Sequence, residues 1–353
     1  MKIARVLLLG CFSPVFLHAS EPDPLWVRVA VLRGAPTLED ALRALCKSEY
    51  WGTIRVVKNK RGSYEAINIL DVEDFLLGVI GREMNPRGPL EALKAQAIAA
   101  RSHALYQAGI SDDQSYDLIA NLSQAYAGKT RLSKNVVLAI ETTRGRVLYH
   151  NGRPVPAYFH ASCGGHTETI ASVWRPTAGG KRKLDSRWPG AVRCHSCLQT
   201  SEHQWKFEIQ EADLRSALKK DGLKIGPLPS VTVLEKGAGG HALKLAIRSE
   251  TGEIQLSAEK LRSLLGYSRL RSALFDVQRA SNPDGTPSDR LIFQGNGHGH
   301  GVGLCQFGAR EMAEKGARCD AILSHYFPDS DVRSHMTENL VNVRFNEKLE
   351  VRN

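Results

Sequence analysis

An α+β fold, with antiparallel strands packed against an alanine-rich helical pair, is what this 353-residue sequence predicts. Three features carry the expectation. Stretches with strand-like alternation do not take turns with helices in the manner of a βαβ series. Two helical patterns, residues 71–82 and 89–109, lie side by side, the second rich in alanine. Near the C-terminus, "GNGHGHGVG" places glycine at every second position from Gly295 to Gly303.

The elements follow in order. Met1, Lys2 and Arg5 precede an apolar run to Leu17, and Leu17-His18-Ala19 offers a cleavage site, so residues 1–20 have the outline of a secretory signal peptide. Leu8-Leu9-Gly10-Cys11 also resembles a lipoprotein box. Residues 21–63 form an N-terminal segment with a strand at Trp26 to Leu32, where Val27, Val29 and Val31 share one face. Residues 64–199 form a core that opens with a strand at Tyr64 to Leu70. Asp71 then caps a helix to about Arg82 whose apolar stripe is Phe75, Leu76, Val79 and Ile80.

A second helix starts at Pro89, which suits a first turn, and stops at Gly109. Its alanines let neighbours approach closely. Residues 136–170 are expected as strand and turn, with Gly152 at a hairpin tip. Residues 200–290 form a mixed α/β insertion or second subdomain, with helices at Glu211 to Lys220 and near 258 and strands at Ser230 to Leu234 and Ala242 to Ile247. Residues 291–335 complete the core with the glycine strand and helices at Ala309 to Lys315 and Asp320 to Tyr326. Residues 336–353 are a tail.

Forty-seven Lys plus Arg against thirty-seven Asp plus Glu give a net charge of +10, which favours an anionic partner. Export and the lack of a basic stripe interleaved with aromatics argue against nucleic acid. No mature stretch reaches the run of about 18 apolar residues that a transmembrane span needs.

Extending the first helix by a turn brings its stripe to Glu83, three residues after Ile80. If the helix continues, this carboxylate faces the core, where burial raises its pKa into the range of a general acid; if it stops at Gly81, Glu83 is an ordinary solvated residue. In the glycine stretch a period of two would leave one face bare for close approach by a ligand or another segment, the other displaying Asn296, His298 and His300. A flexible or bulged loop is the alternative, but the strict alternation is more order than a linker needs and favours the close approach.

Cys163-x2-His166 followed by Cys194-x2-Cys197 has the ligand count of a closed, structural zinc site. Exported thiols could instead oxidise, pairing Cys163 with Cys194 or Cys197, or stay free. Cys46, Cys305 and Cys319 stand apart and read as buried thiols.

The blocks "NILDVEDFLLGVIGREMN", "EALKAQAIAARSHAL", "YDLIANLSQAYAG", "AYFHASCGGHTETIASVW" and "GNGHGHGVGLCQFGAREMAEKGARCDAILSHYFPDSDV" together resemble the SpoIID/LytB family of sporulation and cell-wall proteins, over most of residues 64–332. The resemblance implies a lytic transglycosylase that cleaves peptidoglycan glycan strands between N-acetylmuramic acid and N-acetylglucosamine, prefers strands stripped of stem peptides by an amidase, and leaves 1,6-anhydro ends. The family's catalytic glutamate matches Glu83; the glycine stretch is then expected to wall a glycan-binding groove, and the signal-like N-terminus to send the protein to the periplasm or envelope. Arg101, Gln124, Tyr126, His160, Ser162, Asn296, His298, His300 and Gln306 in these blocks become candidates for substrate binding. Some members hold zinc through a histidine and a cysteine six positions apart, where this chain has His160 and His166. A two-carboxylate hydrolase would need a second acid about 5–10 Å from the first, and none stands out in these blocks. Two alternatives remain: a non-catalytic wall-binding protein that modifies an amidase, and a zinc-dependent wall amidase.

Overall fold

The computed structural model describes residues 25–111, 115–174, 190–198, 203–227, 230–250 and 252–335. The expected signal peptide, Cys11 and the tail lie outside the described residues. The α+β expectation holds. No described helix is long and apolar enough to cross a membrane.

The chain begins with β1 (Trp26–Ala35), α1 (Leu38–Leu45), β2 (Thr53–Lys58) and β3 (Tyr64–Asp71), followed by α2 (Val72–Glu83), α3 (Leu90–Ile110) and β4 (Leu118–Ile119). The sheet runs β2-β3-β1-β4, antiparallel except for the short β1–β4 pair. Val27 and Val29 point inward, as the alternation predicts. The Asp71 carboxylate accepts the Glu73 amide at 2.7 Å, satisfying one of the unpaired donors at the start of α2. Phe75, Leu76, Val79 and Ile80 are fully buried, and the helix carries on to Glu83.

Helix α3 organises the molecule because it is buried on opposite sides. Leu93, Ala97, Ala100 and Ala104 recur at helical spacing and join α2 in one apolar cluster. Ala92, Ala95, Ile98 and Ala99 face a second cluster containing Ile322, Leu323 and Phe327. Two stripes on one helix require small side chains, which is what the alanines supply. Arg101, with no exposed surface, grips Glu73 of α2 through two hydrogen bonds of 2.9 and 2.6 Å and donates to the Arg146 carbonyl at 3.1 Å.

Next come α4 (Lys134–Glu141), β5 (Arg146–His150), β6 (Arg153–Pro154), β7 (Phe159–His160) and α5 (Ile170–Val173). The strand-and-turn expectation for 136–170 misses α4. Its "NVVLAIE" is rich in residues that favour strands, yet Val136, Ala139 and Ile140 bury a helical face against α2 and α3. Tertiary packing overrides propensity here. The expected hairpin forms between β5 and β6.

After α6 (His195–Leu198), a run of β8 (Gln204–Gln210), α7 (Glu211–Lys220), β9 (Ser230–Lys236), β10 (Ala242–Ser249), β11 (Gly252–Ser257), α8 (Ala258–Leu265), β12 (Phe275–Ser281) and β13 (Pro287–Asn296) forms two antiparallel sheets, β11-β10-β9 and β12-β13-β8. They share a third core that includes Leu214, Leu245, Leu261, Leu291 and Phe293. The chain closes with β14 (Leu304–Cys305), parallel to β7, then α9 (Gln306–Glu314), α10 (Cys319–Tyr326) and β15 (Asp331–Ser334), which pairs with β5. Helix α9 starts three residues before the expected Ala309, because the Cys305 side chain caps it at Gly308.

The glycine stretch is not an extended strand. β13 stops at Asn296, and Gly297, Gly299, Gly301 and Gly303 all have positive φ, +85°, +112°, +80° and +76°. Alternation here marks a backbone only glycine adopts easily. Its bare face is covered by protein: a Cβ on Gly299 would lie 2.7 Å from the His160 Cβ, and one on Gly297 2.8 Å from the Ser162 carbonyl oxygen. The close approach is to the 158–164 segment at Gly297, Gly299 and Gly303, and to the His241 ring at Gly301. The glutamate helix is not among the nearest neighbours of these glycines.

Candidate active site at the end of helix α2

Glu83 is the last residue of α2, half-buried, at the end of a helix whose partial negative charge disfavours a carboxylate. The stripe that buries Leu76, Val79 and Ile80 carries it inward. Its Oε1 accepts the Ala125 amide at 2.6 Å, and Gln306 Nε2 donates to Oε2 at 3.5 Å. The same Gln306 nitrogen donates to Gln96 Oε1 at 3.4 Å. Burial pushes the Glu83 carboxyl above its ordinary 4.5; the Ala125 and Gln306 hydrogen bonds and the Arg82 charge pull back without cancelling it. Among the described residues, no carboxylate adds its repulsion to Glu83.

Three elements meet at this group. Helix α2 supplies the acid, α3 the fully buried Gln96, and α9 its first residue, Gln306. Gln96 and the Ala125 amide escaped the sequence reading. The signal for Gln96 was a lone amide inside "LKAQAIAA", on a helix buried all round.

The loop that caps Glu83 also walls a cleft. Asn121 donates its amide to the Gln124 carbonyl at 2.8 Å, turning the chain so that Leu122 and Ser123 line a cavity of about 320 Å³ while Ala125 meets the glutamate. The far wall is His103, Tyr158, Trp174 and His300. Their rings pack together, with Trp174 and His300 centroids 4.9 Å apart and Tyr158 and Trp174 centroids 4.7 Å apart. Such a lining of aromatic faces and polar edges suits a ring-shaped polar ligand.

The predicted site residues separate into three groups. Glu83 and Gln306 come together, and His300 lines the cleft. Gln124 lies next to Ala125 but is buried, its amide donating to the Ala100 carbonyl at 3.1 Å. Arg101, Tyr126 and Ser162 are not available to substrate. Arg101 is committed to Glu73, the Tyr126 hydroxyl donates to Asn68 at 2.6 Å in the core, and the Ser162 hydroxyl lies 3.3 Å from the Cys197 sulfur. A polar side chain in a family-like block can serve packing as readily as binding.

His160 is buried with its Nδ1 3.1 Å from the Val302 carbonyl, and burial drives its pKa down to about 4. His300 is depressed too, again mainly by burial, and its Nδ1 accepts the Val302 amide at 3.0 Å, so the ring is neutral with its proton on Nε2. His298 is exposed. Asn296 lines a different cleft of about 720 Å³ against β8, β12 and β13, away from Glu83.

The cysteine expectation needs one exchange. The sulfurs of Cys163, Cys194, Cys197 and Cys305 all lie within 4.8 Å of one another, all buried. His166 is outside the group, its Nδ1 2.7 Å from the Thr167 carbonyl. Cys305 is thus not isolated, and Cys46 is exposed rather than buried. Spacing along the chain could not reveal a fourth sulfur more than a hundred residues away.

Residues 60–150 match the SpoIID family, described as Stage II sporulation protein, and residues 196–303 match a domain of unknown function, DUF8618. The chain is 27% identical over 299 residues to an uncharacterised protein of Brachyspira hyodysenteriae, covering 84% of this chain and 75% of that protein. It is 27% identical over 291 residues to Stage II sporulation protein D of Bacillus subtilis, covering 77% of each. With the amidase enhancer of Bacillus subtilis it shares 27% identity over 305 residues, covering 74% of this chain and 40% of that protein.

Proposed function

The chain belongs to the SpoIID family, and from that premise we propose that it is an exported peptidoglycan lytic transglycosylase with Glu83 as its single catalytic acid and base. The observation that carries this reading is a half-buried carboxyl of raised pKa, with no second carboxylate acting on it among the described residues. A carboxyl that keeps its proton above the ordinary carboxylate range can give it to a glycosidic oxygen.

The chemistry needs one carboxyl only. Protonated Glu83 donates to the oxygen between N-acetylmuramic acid and N-acetylglucosamine as the bond to the muramic C1 breaks. The resulting carboxylate takes the proton of the muramic 6-hydroxyl, whose oxygen closes on C1. An anhydro ring forms, Glu83 regains its proton and no water is consumed. The Ala125 amide holds one carboxyl oxygen firmly, while the long Gln306 contact leaves the other free to exchange a proton. The loop that caps Glu83 through Ala125 also lines the cleft of Trp174, Tyr158 and His300, which supports that cleft as a glycan path, and the net charge of +10 suits an anionic wall.

The test is product analysis. Glycan strands freed of stem peptides and incubated with the wild type should yield 1,6-anhydro ends by mass; Glu83→Gln should yield none. Reducing ends in place of anhydro ends would replace the reaction with hydrolysis. The match to an amidase enhancer favours one further reading, a non-catalytic partner of a wall amidase; equal stimulation of an amidase by wild type and Glu83→Gln, with no anhydro product from either, would establish it. The zinc-amidase reading gains nothing from the buried cysteine group, because four protein ligands leave no position for a water.

A further inference from the structure

Four cysteines from three separate segments converge on one point in the apolar core next to α3. Cys163 comes from the loop after β7, Cys194 and Cys197 from the turn and first residues of α6, and Cys305 from β14. We infer that Cys163, Cys194, Cys197 and Cys305 together bind a single structural zinc ion as a tetrathiolate.

The distances suit a one-metal site. With metal–sulfur bonds of about 2.3 Å, a tetrahedron has sulfur–sulfur edges of about 3.8 Å. Here Cys194 and Cys197 are 3.6 Å apart, Cys197 and Cys305 3.3 Å, and every pair falls within 4.8 Å.

The surroundings suit thiolates rather than thiols. The amides of Cys163 and Gly308 both donate to the Cys305 sulfur at 3.4 Å, and the Gly165 amide donates to the Cys163 sulfur at 3.4 Å. The Ser162 hydroxyl lies 3.3 Å from the Cys197 sulfur and the Tyr326 hydroxyl 3.2 Å from the Cys194 sulfur. Neutral thiols are weak acceptors that pack as small hydrophobes and need no such ring of donors. Donors around ligand sulfurs are the ordinary outer shell of a metal site. Several buried thiolates without a cation would be prohibitively costly, so a set of anionic sulfurs implies a cation among them.

The His160 and His166 rings stay outside this four-sulfur group. Their Nδ1 atoms face the Val302 and Thr167 carbonyls, and neither ring belongs to the converging group. The four-cysteine site would act by position. Its ion joins the 163 loop and α6 to Cys305, the cap of α9, and the next residue is Gln306 against Glu83. Zinc thereby fixes the start of the helix that presents a partner to the acid.

The test is metal analysis of the exported chain purified without chelator. About one zinc per chain is expected, and cobalt substitution should give the intense visible bands and near-ultraviolet charge transfer of tetrahedral thiolate coordination. Cys305→Ser should lower zinc retention at least about tenfold, while His166→Ala and Cys319→Ser keep it. If Cys305→Ser does not fold, titration of the wild type with an organomercurial serves instead, with zinc released in step with loss of the four thiols. A folded wild type with no metal, iron in place of zinc, or zinc lost in His166→Ala but kept in Cys305→Ser would each overturn the assignment.

Discussion

The helical pair α2–α3 and the glycine loop at 297–303 both converge on the candidate site, and they encode structure in opposite ways. In the pair, a residue's role follows from its place in a repeating stripe: Leu93, Ala97, Ala100 and Ala104 face one core, Ala92, Ala95 and Ala99 another. In the loop, each glycine's role is set by a distant segment, as Gly299 is by His160. A repeating stripe tolerates graded change, whereas a backbone held at positive φ against another backbone does not.

The largest effect expected from this contrast is at Gly303. A side chain there would run into the Tyr158 carbonyl oxygen at a φ of +76°. Gly303→Val should cost more than about 4 kcal/mol and leave little folded protein in urea denaturation. Near-normal stability would mean the loop can relax into the extended strand that its alternation suggests.

Next is Arg101→Ala, which strands the buried Glu73 carboxylate. Removing one member of a buried pair costs about 3–5 kcal/mol, and loss of glycan binding without loss of stability would return Arg101 to the substrate.

The smallest effect belongs to Glu83→Gln, and its sign is opposite. A carboxyl with a raised folded-state pKa binds its proton more tightly folded than unfolded, so its stabilising contribution is complete below about 4.5 and fades as pH rises through the folded value. The melting temperature of Glu83→Gln should therefore gain on the wild type as pH rises from 4.5 to neutrality, and a flat or falling difference would argue for a solvated group.

How much was legible in the sequence follows the same division. Strands β1 and β3 and the Asp71 cap were carried by short-range periodicity, which needs no knowledge of partners, whereas periodicity left Glu83 open between core and solvent until the family resemblance favoured the site. Helix α4 was missed because valine and isoleucine favour strands until a neighbouring helix buries them. The fourth cysteine, Gln96 and the Ala125 amide depend on contacts across long stretches of chain, and no local spacing announces those. Arg101, Tyr126 and Ser162 were assigned outward roles because polarity in the sequence does not say which side of the surface a group lies on.

The account rests on one proton, and infrared difference spectroscopy of wild type against Glu83→Gln observes it directly. A protonated carboxyl C=O stretch, absent from the variant, should persist above pH 4.5 before it titrates. Its disappearance at the pH of an ordinary surface glutamate would contradict the account.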